Sequence, residues 1–464
     1  MEHYDLIIIG GGPAGYIAAE RAGALGKTVL LLEEQEIGGT CLNEGCIPTK
    51  TLIHSAKLYR SAGNSERFGV TAGEVTFNLA TAMDYKEKVI KSLQKGIMQQ
   101  LKHHGVKVEH ARGVLVNATT VRAGDREVTA GKILLAQGSD SARPPIPGSR
   151  DNPRVLTSRE LLQIRELPQR LIVIGGGYIG MEFASLFSAL GSQVTVVEMM
   201  DEIIPMLEPE TAQGLRRHLK KITYYLAHKV EKIEDNTVTI QDMKEGKDAI
   251  ALEGDLILLA TGRVPRTAGS GIAEAGVALH KGAIQVDEYQ RTNIPGVYAA
   301  GDVTGRMLLA HAAYRMGEVA VAHMFHQDAG TRPGEGRAIL PNRMRYHAIP
   351  WVVFTTPEVA GCGMNPSEAR SAGYEIETTT MPLQISGRYL AEHPDERGTV
   401  TVTAESRTGR LLGVQMMGSG VGEIIHSAAV MIEQEMRVSE IREIVFPHPT
   451  VSEAVRDSIW ALTV

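Results

Sequence analysis

Two glycine-rich turns that repeat along the chain constrain its fold more than any other feature of the sequence. HYDLIIIGGGPAG ends at Gly15 and RLIVIGGGYIG ends at Gly180, and each combines an apolar run, a glycine turn and the start of a helical pattern. A second apolar run follows each turn, and these runs end at Glu33 and Glu198, at the same distance from the last glycine of their own turn. The repeat predicts two copies of one strand–helix–strand unit.

The spacing of the glycines indicates what the two units bind. The first glycine permits a tight turn, the second lets a pyrophosphate approach the backbone, and the third lets the helix pack closely. The pyrophosphate then lies on the helix N-terminus, and the glutamate accepts hydrogen bonds from ribose hydroxyls. The residues predicted to bind two dinucleotides in this way are Gly10, Gly12, Pro13, Gly15 and Glu33 in the first unit and Gly175, Gly177, Gly180 and Glu198 in the second.

A third pair of matching segments follows. LLAQGS carries Gly138 and LLATGR carries Gly262, each at the end of a later strand. Two nucleotide sites on one chain predict a relay between two redox cofactors. Glu198 would repel a 2′-phosphate, and MMDEI after it offers no arginine, so we expect NAD rather than NADP at the second site.

The C-terminal part of the sequence differs in character. RPGEGRAILPNRMR, residues 332–345, has the composition of a linker, and strand-like and helical segments without a further glycine turn follow it. We predict an α/β protein with two Rossmann-like dinucleotide-binding domains and a C-terminal α+β domain. The predicted domains are 1–148 with 267–335, 149–266, and 336–464.

Composition excludes several classes of protein. A formal net charge of −6 gives no electrostatic reason to expect nucleic acid as a partner. The first apolar run is broken by glycines within a few residues, which fits neither a signal peptide nor a membrane span. The 464 residues include only 3 cysteines, so we expect no disulfide framework and a reducing, cytoplasmic location.

Two of those cysteines, Cys41 and Cys46, lie close together in GGTCLNEGCIPTK. Zinc would need further ligands, and Cys362 is remote and His54 alone would not complete the set, so we expect no metal site. A structural disulfide closing so short a loop would constrain the unfolded chain little. A redox-active dithiol fits the position just after Glu33, at a turn that opens a helix, with Pro48 as an irregularity in that helix.

From Gly38 to Lys50 the sequence resembles the active-site motif of the flavin disulfide oxidoreductases, Gly-Gly-Thr-Cys-x4-Cys-x-Pro-x-Lys. The similarity runs nearly the full length, through GGGYIGME and VYAAGDVTGRMLLAHAA to HPTVSEA near the end. Within the family the chain looks most like the dihydrolipoyl dehydrogenases, which serve 2-oxo-acid dehydrogenase and glycine-cleavage complexes. The resemblance implies FAD at the first nucleotide site, a C-terminal dimerisation domain and lipoyl domains as partners.

The resemblance also implies a role for each matching residue. Cys41 would exchange with the dithiol substrate, Cys46 would face the flavin, and Lys50 would pair with Glu182 near the flavin's reactive edge. Tyr178 would cover the nicotinamide pocket, and Asp302 would bind the ribityl and pyrophosphate region of FAD. Further cofactor contacts are implied for Gly39, Thr40, Lys50, Gly113, Leu309, Ala310 and His311.

His448 and Glu453 would form the acid/base pair. Their spacing can bring the two side chains together at a helix start, where the carboxylate would fix the imidazole tautomer. From spacing alone, a surface histidine beside a first-turn glutamate is an equal alternative. In the family the histidine reaches the disulfide of the other subunit, which implies a homodimer. It would deprotonate a dithiol that attacks Cys41, and the electrons would pass through Cys46 and FAD to NAD.

Some positions depart from the dihydrolipoyl dehydrogenase pattern, namely Glu44, Gln137 and Phe446. Our hypothesis is that Glu44, between the cysteines, shifts the redox potential of the dithiol. Two alternatives remain. One is a glutathione-type reductase, although Glu198 disfavours the NADP that such enzymes use. The other is a nucleotide-binding flavoprotein whose disulfide takes no part in catalysis. We expect Cys362 and the methionines of GVQMMG to be buried core residues and His103-His104 to lie at a solvated helix end.

Overall fold

The computed structural model describes residues 1–244, 246, 248–325 and 343–464. The predicted linker at 332–345 therefore lies outside the described residues except for its last three positions. The domain boundary predicted between residues 335 and 336 also lies outside the described residues. The domain boundaries themselves stay a prediction.

The first nucleotide-binding unit is built on a seven-stranded sheet. The strand before the first glycine turn, His3–Ile9, pairs in parallel with strands on both sides, and Leu6, Ile7 and Ile8 are completely buried. Continuous apolar runs are typical of parallel strands covered on both faces. The strands, in spatial order, are Lys107–His110, Val29–Glu33, His3–Ile9, Arg126–Leu135, Thr120–Ala123 and Gly113–Asn117, with Val297–Ala299 beside Arg126–Leu135.

The second unit repeats this arrangement in a five-stranded parallel sheet. The strand before the second glycine turn, Arg170–Ile174, again lies between its partners. In spatial order the strands are Thr223–Tyr225, Gln193–Val197, Arg170–Ile174, Leu256–Leu259 and Val155–Thr157. The unit also contains a separate antiparallel sheet, whose strands are His228–Glu234, Thr237–Asp242 and Ile250–Glu253. The ribbon of Ser139–Ser141 and Arg263–Pro265 joins the points where the chain enters and leaves this unit. The second unit is thus an insertion in the first.

The C-terminal part is an α+β unit, as predicted. Its antiparallel sheet consists, in spatial order, of Trp351–Val353, Val359–Gly363, Leu411–Met417, Thr399–Glu405 and Ile376–Pro382. Cys362, Met416 and Met417 are buried in it, which confirms that they are core residues. His103 ends a helix and is exposed, with His104 following it, which confirms the solvated helix end.

Helices cover the sheets and carry the motif residues to their edges. The helix after the first glycine turn packs on the helix Ala310–Phe325 so closely that a Cβ on Gly317 would lie 2.5 Å from the Ala14 carbonyl oxygen. In the described part of the chain, no helix combines the length and apolar character needed to span a bilayer. The α-helices are Pro13–Ala24, Gly39–Glu44, Cys46–Gly63, Leu79–His103, Ser158–Leu161, Tyr178–Ala189, Pro209–His218, Ala310–Phe325, Pro366–Ser371, Gly387–Glu392, Val421–Glu433, Val438–Arg442 and Glu453–Trp460.

The helical segment around the cysteines is broken at Gly45, not at Pro48. One continuous helix would separate Cys41 and Cys46 by about 7.5 Å along its axis and about 140° around it. Gly45 instead takes φ −143° and ψ −104°, which ends one helix and starts the next at Cys46. Pro48 falls in the first turn of the second helix, where proline is tolerated because its missing N–H has no partner to lose.

Candidate active site

A cavity of about 1090 Å³ lies between the two nucleotide-binding units and is lined by both glycine turns. The N-cap residues Gly12 and Gly177 each open a 12-residue helix without a side-chain cap, so the first N–H groups of both helices are free to bind an anion. A cavity of this size exceeds that of most small-molecule pockets. Two uncapped helix ends in one cavity fit two dinucleotide pyrophosphates.

The glycines of the motifs fall into two groups. A Cβ on Gly10 would lie 2.3 Å from the Ala136 carbonyl oxygen, and a Cβ on Gly15 would lie 1.8 Å from that of Gly10, so both are required by backbone packing. In the second unit, a Cβ on Gly180 would lie 1.9 Å from the Gly175 carbonyl oxygen, so Gly180 is required for the same reason. A Cβ on Gly175 would likewise lie 2.4 Å from the Ala260 carbonyl oxygen, whereas a Cβ on Gly12 would make only an ordinary contact, 3.8 Å from the Gly39 Cα. The motif glycines with open space where a Cβ would be, all of which line the cavity, are Gly138, Gly177 and Gly262.

Glu33 and Glu198 hold equivalent positions in the two units. Glu33 accepts hydrogen bonds from the backbone N–H groups of Gly11 at 2.6 Å and Gln35 at 2.7 Å. Glu198 accepts the matching pair from Gly176 at 2.5 Å and Met200 at 2.7 Å. Both carboxylates line the cavity. The two units therefore match even in the individual hydrogen bonds of these glutamates. Each carboxylate is held at the place where the ribose of a bound dinucleotide would lie.

Cys41 and Cys46 are free thiols in the wall of this cavity. The hydrogen bond from Cys41 lowers the pKa of Cys46 from 9.0 to about 7; burial opposes this shift and the Lys50 charge supports it. The same hydrogen bond, together with burial, raises the pKa of Cys41. Cys46 is therefore the member of the pair that ionises first, near neutral pH, while Cys41 keeps its proton.

Lys50 joins three parts of the fold at one point. Its Nζ lies 2.8 and 2.7 Å from the two carboxylate oxygens of Glu182. Glu182 also accepts a hydrogen bond of 3.0 Å from the backbone N–H of Phe354, and Lys50 Nζ lies 4.5 Å from the centroid of the Phe354 ring. Phe354, which the sequence reasoning missed, thus ties the C-terminal unit to both nucleotide units.

Glu44 has a partner that the sequence did not reveal. Its Oε1 lies 3.0 Å from Arg159 Nη2, and both residues line the cavity. Arg159 belongs to the short helix of the second unit, so this ion pair crosses from one nucleotide-binding unit to the other. The carboxylate between the cysteines is accompanied by a compensating charge.

The remaining predicted cofactor residues divide between the cavity wall and positions outside it. Asp302 lines the cavity and accepts a hydrogen bond of 2.6 Å from Ser139 Oγ, which also lies 2.8 Å from Nε of Arg263, another residue that the sequence reasoning missed. Gly113 packs instead against Ile9 and Leu32 in the sheet, and the His311 ring binds the Pro350 carbonyl. Those in the wall are Gly39, Thr40, Lys50, Tyr178, Leu309 and Ala310.

His448 and Glu453 are brought together, as the spacing allowed and the resemblance implied, but they do not line the cavity. His448 Nδ1 lies 2.8 Å from Glu453 Oε1, and the Thr450 backbone N–H donates to Glu453 Oε2 at 3.0 Å. These two interactions, with the backbone one first, lower the pKa of Glu453. The His448 side chain is 79% exposed, so its other nitrogen is open to a group from outside the subunit.

Comparisons with known proteins identify the family. The profile of the pyridine nucleotide-disulphide oxidoreductases matches residues 4–317, and that of their dimerisation domain matches residues 349–459. The dihydrolipoyl dehydrogenase of Thermus scotoductus is 37% identical over 100% of this chain and 98% of its own length. The mitochondrial dihydrolipoyl dehydrogenase of Pisum sativum is 35% identical over 98% of this chain and 91% of its own length.

Among solved structures, the copper(II) complex of the HOCl-induced flavoprotein disulfide reductase RclA from Escherichia coli superposes with a TM-score of 0.86. It is 29% identical, and the alignment covers 100% of both chains. FAD and NAD(P)H are the cofactors of proteins with this architecture, in agreement with the two uncapped glycine turns. The chain belongs to the pyridine nucleotide-disulphide oxidoreductase family.

Proposed function

We propose that the protein oxidises dihydrolipoyl groups to lipoyl groups and reduces NAD, as a dihydrolipoyl dehydrogenase. The observation that carries the proposal is the Cys41–Cys46 dithiol in the wall of a cavity that both nucleotide-binding units share. The relatives from Thermus scotoductus and Pisum sativum, both named dihydrolipoyl dehydrogenase, support the choice of substrate.

The residues of the site divide the work. In the oxidised enzyme Cys41 accepts the attack of a substrate thiolate, and Cys46 leaves as the thiolate that its lowered pKa favours. Lys50, held by Glu182, keeps a positive charge beside Cys46. When bound, FAD would carry two electrons between the dithiol and the nicotinamide nucleotide.

Glu198 supports NAD as that nucleotide. Both of its carboxylate oxygens are fixed by backbone N–H groups, so the side chain cannot easily turn away from a 2′-phosphate. The repulsion between the two negative groups would then act directly against NADP.

His448, oriented by Glu453, supplies the base for the substrate thiol. Because it lies outside the cavity and is exposed, we propose that it acts on the dithiol of a second copy of the chain. The match to a dimerisation domain supports a homodimer. The proposed partners of this dimer are lipoyl domains, and the scarcity of cysteine supports a cytoplasmic location.

The similarity to RclA over the whole chain favours a second candidate, a reductase of another disulfide that uses NAD(P)H. One experiment separates the two. The purified yellow protein is assayed for NAD reduction with dihydrolipoamide, and for NADH or NADPH oxidation with glutathione disulfide. We expect turnover of dihydrolipoamide with NAD. Lack of that turnover, with activity on the other disulfide, would reject the first candidate in favour of the second.

A further inference from the structure

Tyr178 lines the nucleotide cavity, yet no hydrogen bond holds its side chain there. It is the first residue of the helix Tyr178–Ala189 and lies one helical turn before Glu182, on the same face. Glu182 is fixed by hydrogen bonds from Lys50 and from the Phe354 backbone N–H. In the described part of the chain, the Tyr178 hydroxyl has no such partner. The ring of Tyr178 is therefore kept in place by packing alone.

Trp351 of the C-terminal unit supplies this packing. The centroids of the Tyr178 and Trp351 rings lie 6.3 Å apart, with their planes tilted by 54°. Among the described residues, Trp351 is the only aromatic residue whose ring pairs with that of Tyr178. Trp351 is 7% exposed and does not line the cavity. Tyr178 thus separates Trp351 from the cavity, with packing on one side and open space on the other.

The ring of Trp351 is itself held firmly by the C-terminal sheet. Trp351 begins the strand Trp351–Val353 and lies directly opposite Gly361 of the neighbouring strand. A Cβ on Gly361 would lie 2.3 Å from Cζ2 of the Trp351 ring, so the ring occupies space that only a glycine leaves free. From there it packs into the apolar core of the second nucleotide-binding unit. The support behind Tyr178 is therefore a fixed one.

The two contacts between this helix face and the C-terminal unit differ in kind. Glu182 is attached to the backbone of Phe354 by a hydrogen bond of 3.0 Å, whereas Tyr178 only touches Trp351, three residues earlier. A hydrogen bond of a buried carboxylate is costly to break, but a contact between two rings is weak enough for a bound ligand to replace. The helix can stay in place while the Tyr178 ring turns.

We propose that Trp351 is a positioning residue that holds the Tyr178 ring in the nicotinamide pocket and so sets how readily a nicotinamide ring enters it. The inference rests on the proposed function, because it takes up the role that the resemblance implies for Tyr178. NAD binds to the fraction of molecules in which Tyr178 has turned away from Trp351. The stronger the contact between the two rings, the smaller that fraction and the weaker the apparent affinity for NAD.

The first test measures ligand binding to the oxidised holoenzyme by calorimetry. Trp351→Leu removes the ring but keeps a large apolar side chain, and it should tighten NAD binding about two- to tenfold, as expected for the loss of one aromatic contact. Trp351→Phe keeps a ring and should stay close to the unaltered protein. ADP-ribose has no nicotinamide, so all three proteins should bind it equally.

The fluorescence of Trp351 gives a second readout that needs no change at the site. The chain contains 2 tryptophans, and the other one, Trp460, is 54% exposed and can be replaced by Phe. In that protein NAD should change the emission of Trp351, because the Tyr178 ring leaves it, whereas ADP-ribose should not. The additional change Tyr178→Ala should abolish the response to NAD.

Val353→Ala is the matched control for the loss of apolar volume. Val353 is completely buried on the same strand and the same face as Trp351, but it has no ring to place against Tyr178. This variant should lower the free energy of unfolding and leave NAD binding unchanged. Tightening of NAD binding by Val353→Ala as well would contradict a specific role for Trp351.

Three other results would overturn the inference. They are an unchanged NAD affinity in Trp351→Leu, an equal change for NAD and ADP-ribose, and failure of the unaltered holoenzyme to bind NAD. Failure of the proposed function looks different, since the unaltered enzyme would bind NAD but not oxidise dihydrolipoamide. The titrations use no dithiol, so they decide the role of Trp351 in that case too.

Discussion

Lys50 and Glu182 form an ion pair in which both carboxylate oxygens lie within 2.8 Å of one ammonium nitrogen, although the residues belong to different nucleotide-binding units. Glu182 is 8% exposed and Lys50 is 30% exposed. Removing one member of such a pair leaves a buried charge without compensation, which is more costly than the pair itself is stabilising.

Lys50→Met should therefore have two effects. The free energy of unfolding should fall by roughly 3 kcal/mol, because Glu182 is left unpaired. The pKa of Cys46 should rise, because the nearby positive charge that lowers it is lost. Chemical denaturation measures the first effect, and the pH dependence of thiolate absorbance in the reduced protein measures the second. Lys57→Met is the matched control, since Lys57 lies on the same helix and pairs with Glu358 at 2.6 Å. A rise in the Cys46 pKa in that control as well would contradict our assignment.

The reduced dithiol should titrate near neutrality. The pKa of Cys46 is lowered to about 7, so its thiolate dominates above that pH and is lost as the pH falls below it. Cys41→Ala removes the hydrogen bond that is the main cause of the shift, and the pKa should move back toward the ordinary 9.0. Ultraviolet thiolate absorbance across pH 5–10 would record both midpoints. Cys362→Ala should leave the midpoint in place, because burial raises the pKa of Cys362 to about 12.

His448→Gln should slow reduction of the enzyme by dihydrolipoamide about 10²- to 10⁴-fold, the range typical of a lost general base. Reduction by NADH should be unaffected, and the exposed His426, replaced by Gln, serves as the control from the same C-terminal unit. Mixed dimers of His448→Gln and Cys41→Ser subunits test the exchange between subunits. Each such dimer would contain one complete site, so activity should reappear on mixing. Continued inactivity in verified mixed dimers would place the histidine and the dithiol in the same subunit.

Arg159 should mask the charge of Glu44. Because the two are 3.0 Å apart, Arg159→Gln leaves a carboxylate unpaired near the thiols and Glu44→Val leaves a positive charge unpaired, so the two single variants should shift the pKa of Cys46 in opposite directions. The single Arg159 variant should raise the pKa of Cys46 by about a few tenths of a unit, in keeping with a partly exposed pair. The double variant Arg159→Gln with Glu44→Val should return to the original value. Redox and thiolate titrations of the four proteins complete the cycle, and a double variant that keeps the shift of either single variant would contradict the compensation.

The sequence predicted most of what depends on local pattern. The repeated glycine turns and the positions of Glu33 and Glu198 follow from spacing, because each involves residues within one supersecondary unit. For His448 and Glu453, spacing left a surface histidine as an equal alternative, and the resemblance to the family favoured the pair. Contacts between units could not be read in this way. Nothing in the short helix around Arg159 indicates that it reaches Glu44, and Phe354 contributes through its backbone N–H, which every non-proline residue has.

Two local expectations also needed the structure. The irregularity expected at Pro48 lies at Gly45, because a proline in the first helical turn fits a regular helix while the glycine takes a non-helical conformation. Gly113 and His311 were assigned to the cofactor by resemblance, yet one packs within the sheet and the other binds a backbone carbonyl. Their assigned roles stay predictions.

The break at Gly45 has a mechanical consequence. Since Cys41 and Cys46 lie on separate helices, the small change in sulfur separation between dithiol and disulfide can be absorbed by the backbone of Gly45, the single residue between the two helices. Neither helix then has to shift against the sheets, so the positions of the surrounding domains need not change with the oxidation state of the two cysteines. The sheets and helices can keep their positions through every catalytic cycle while only the backbone at Gly45 changes conformation.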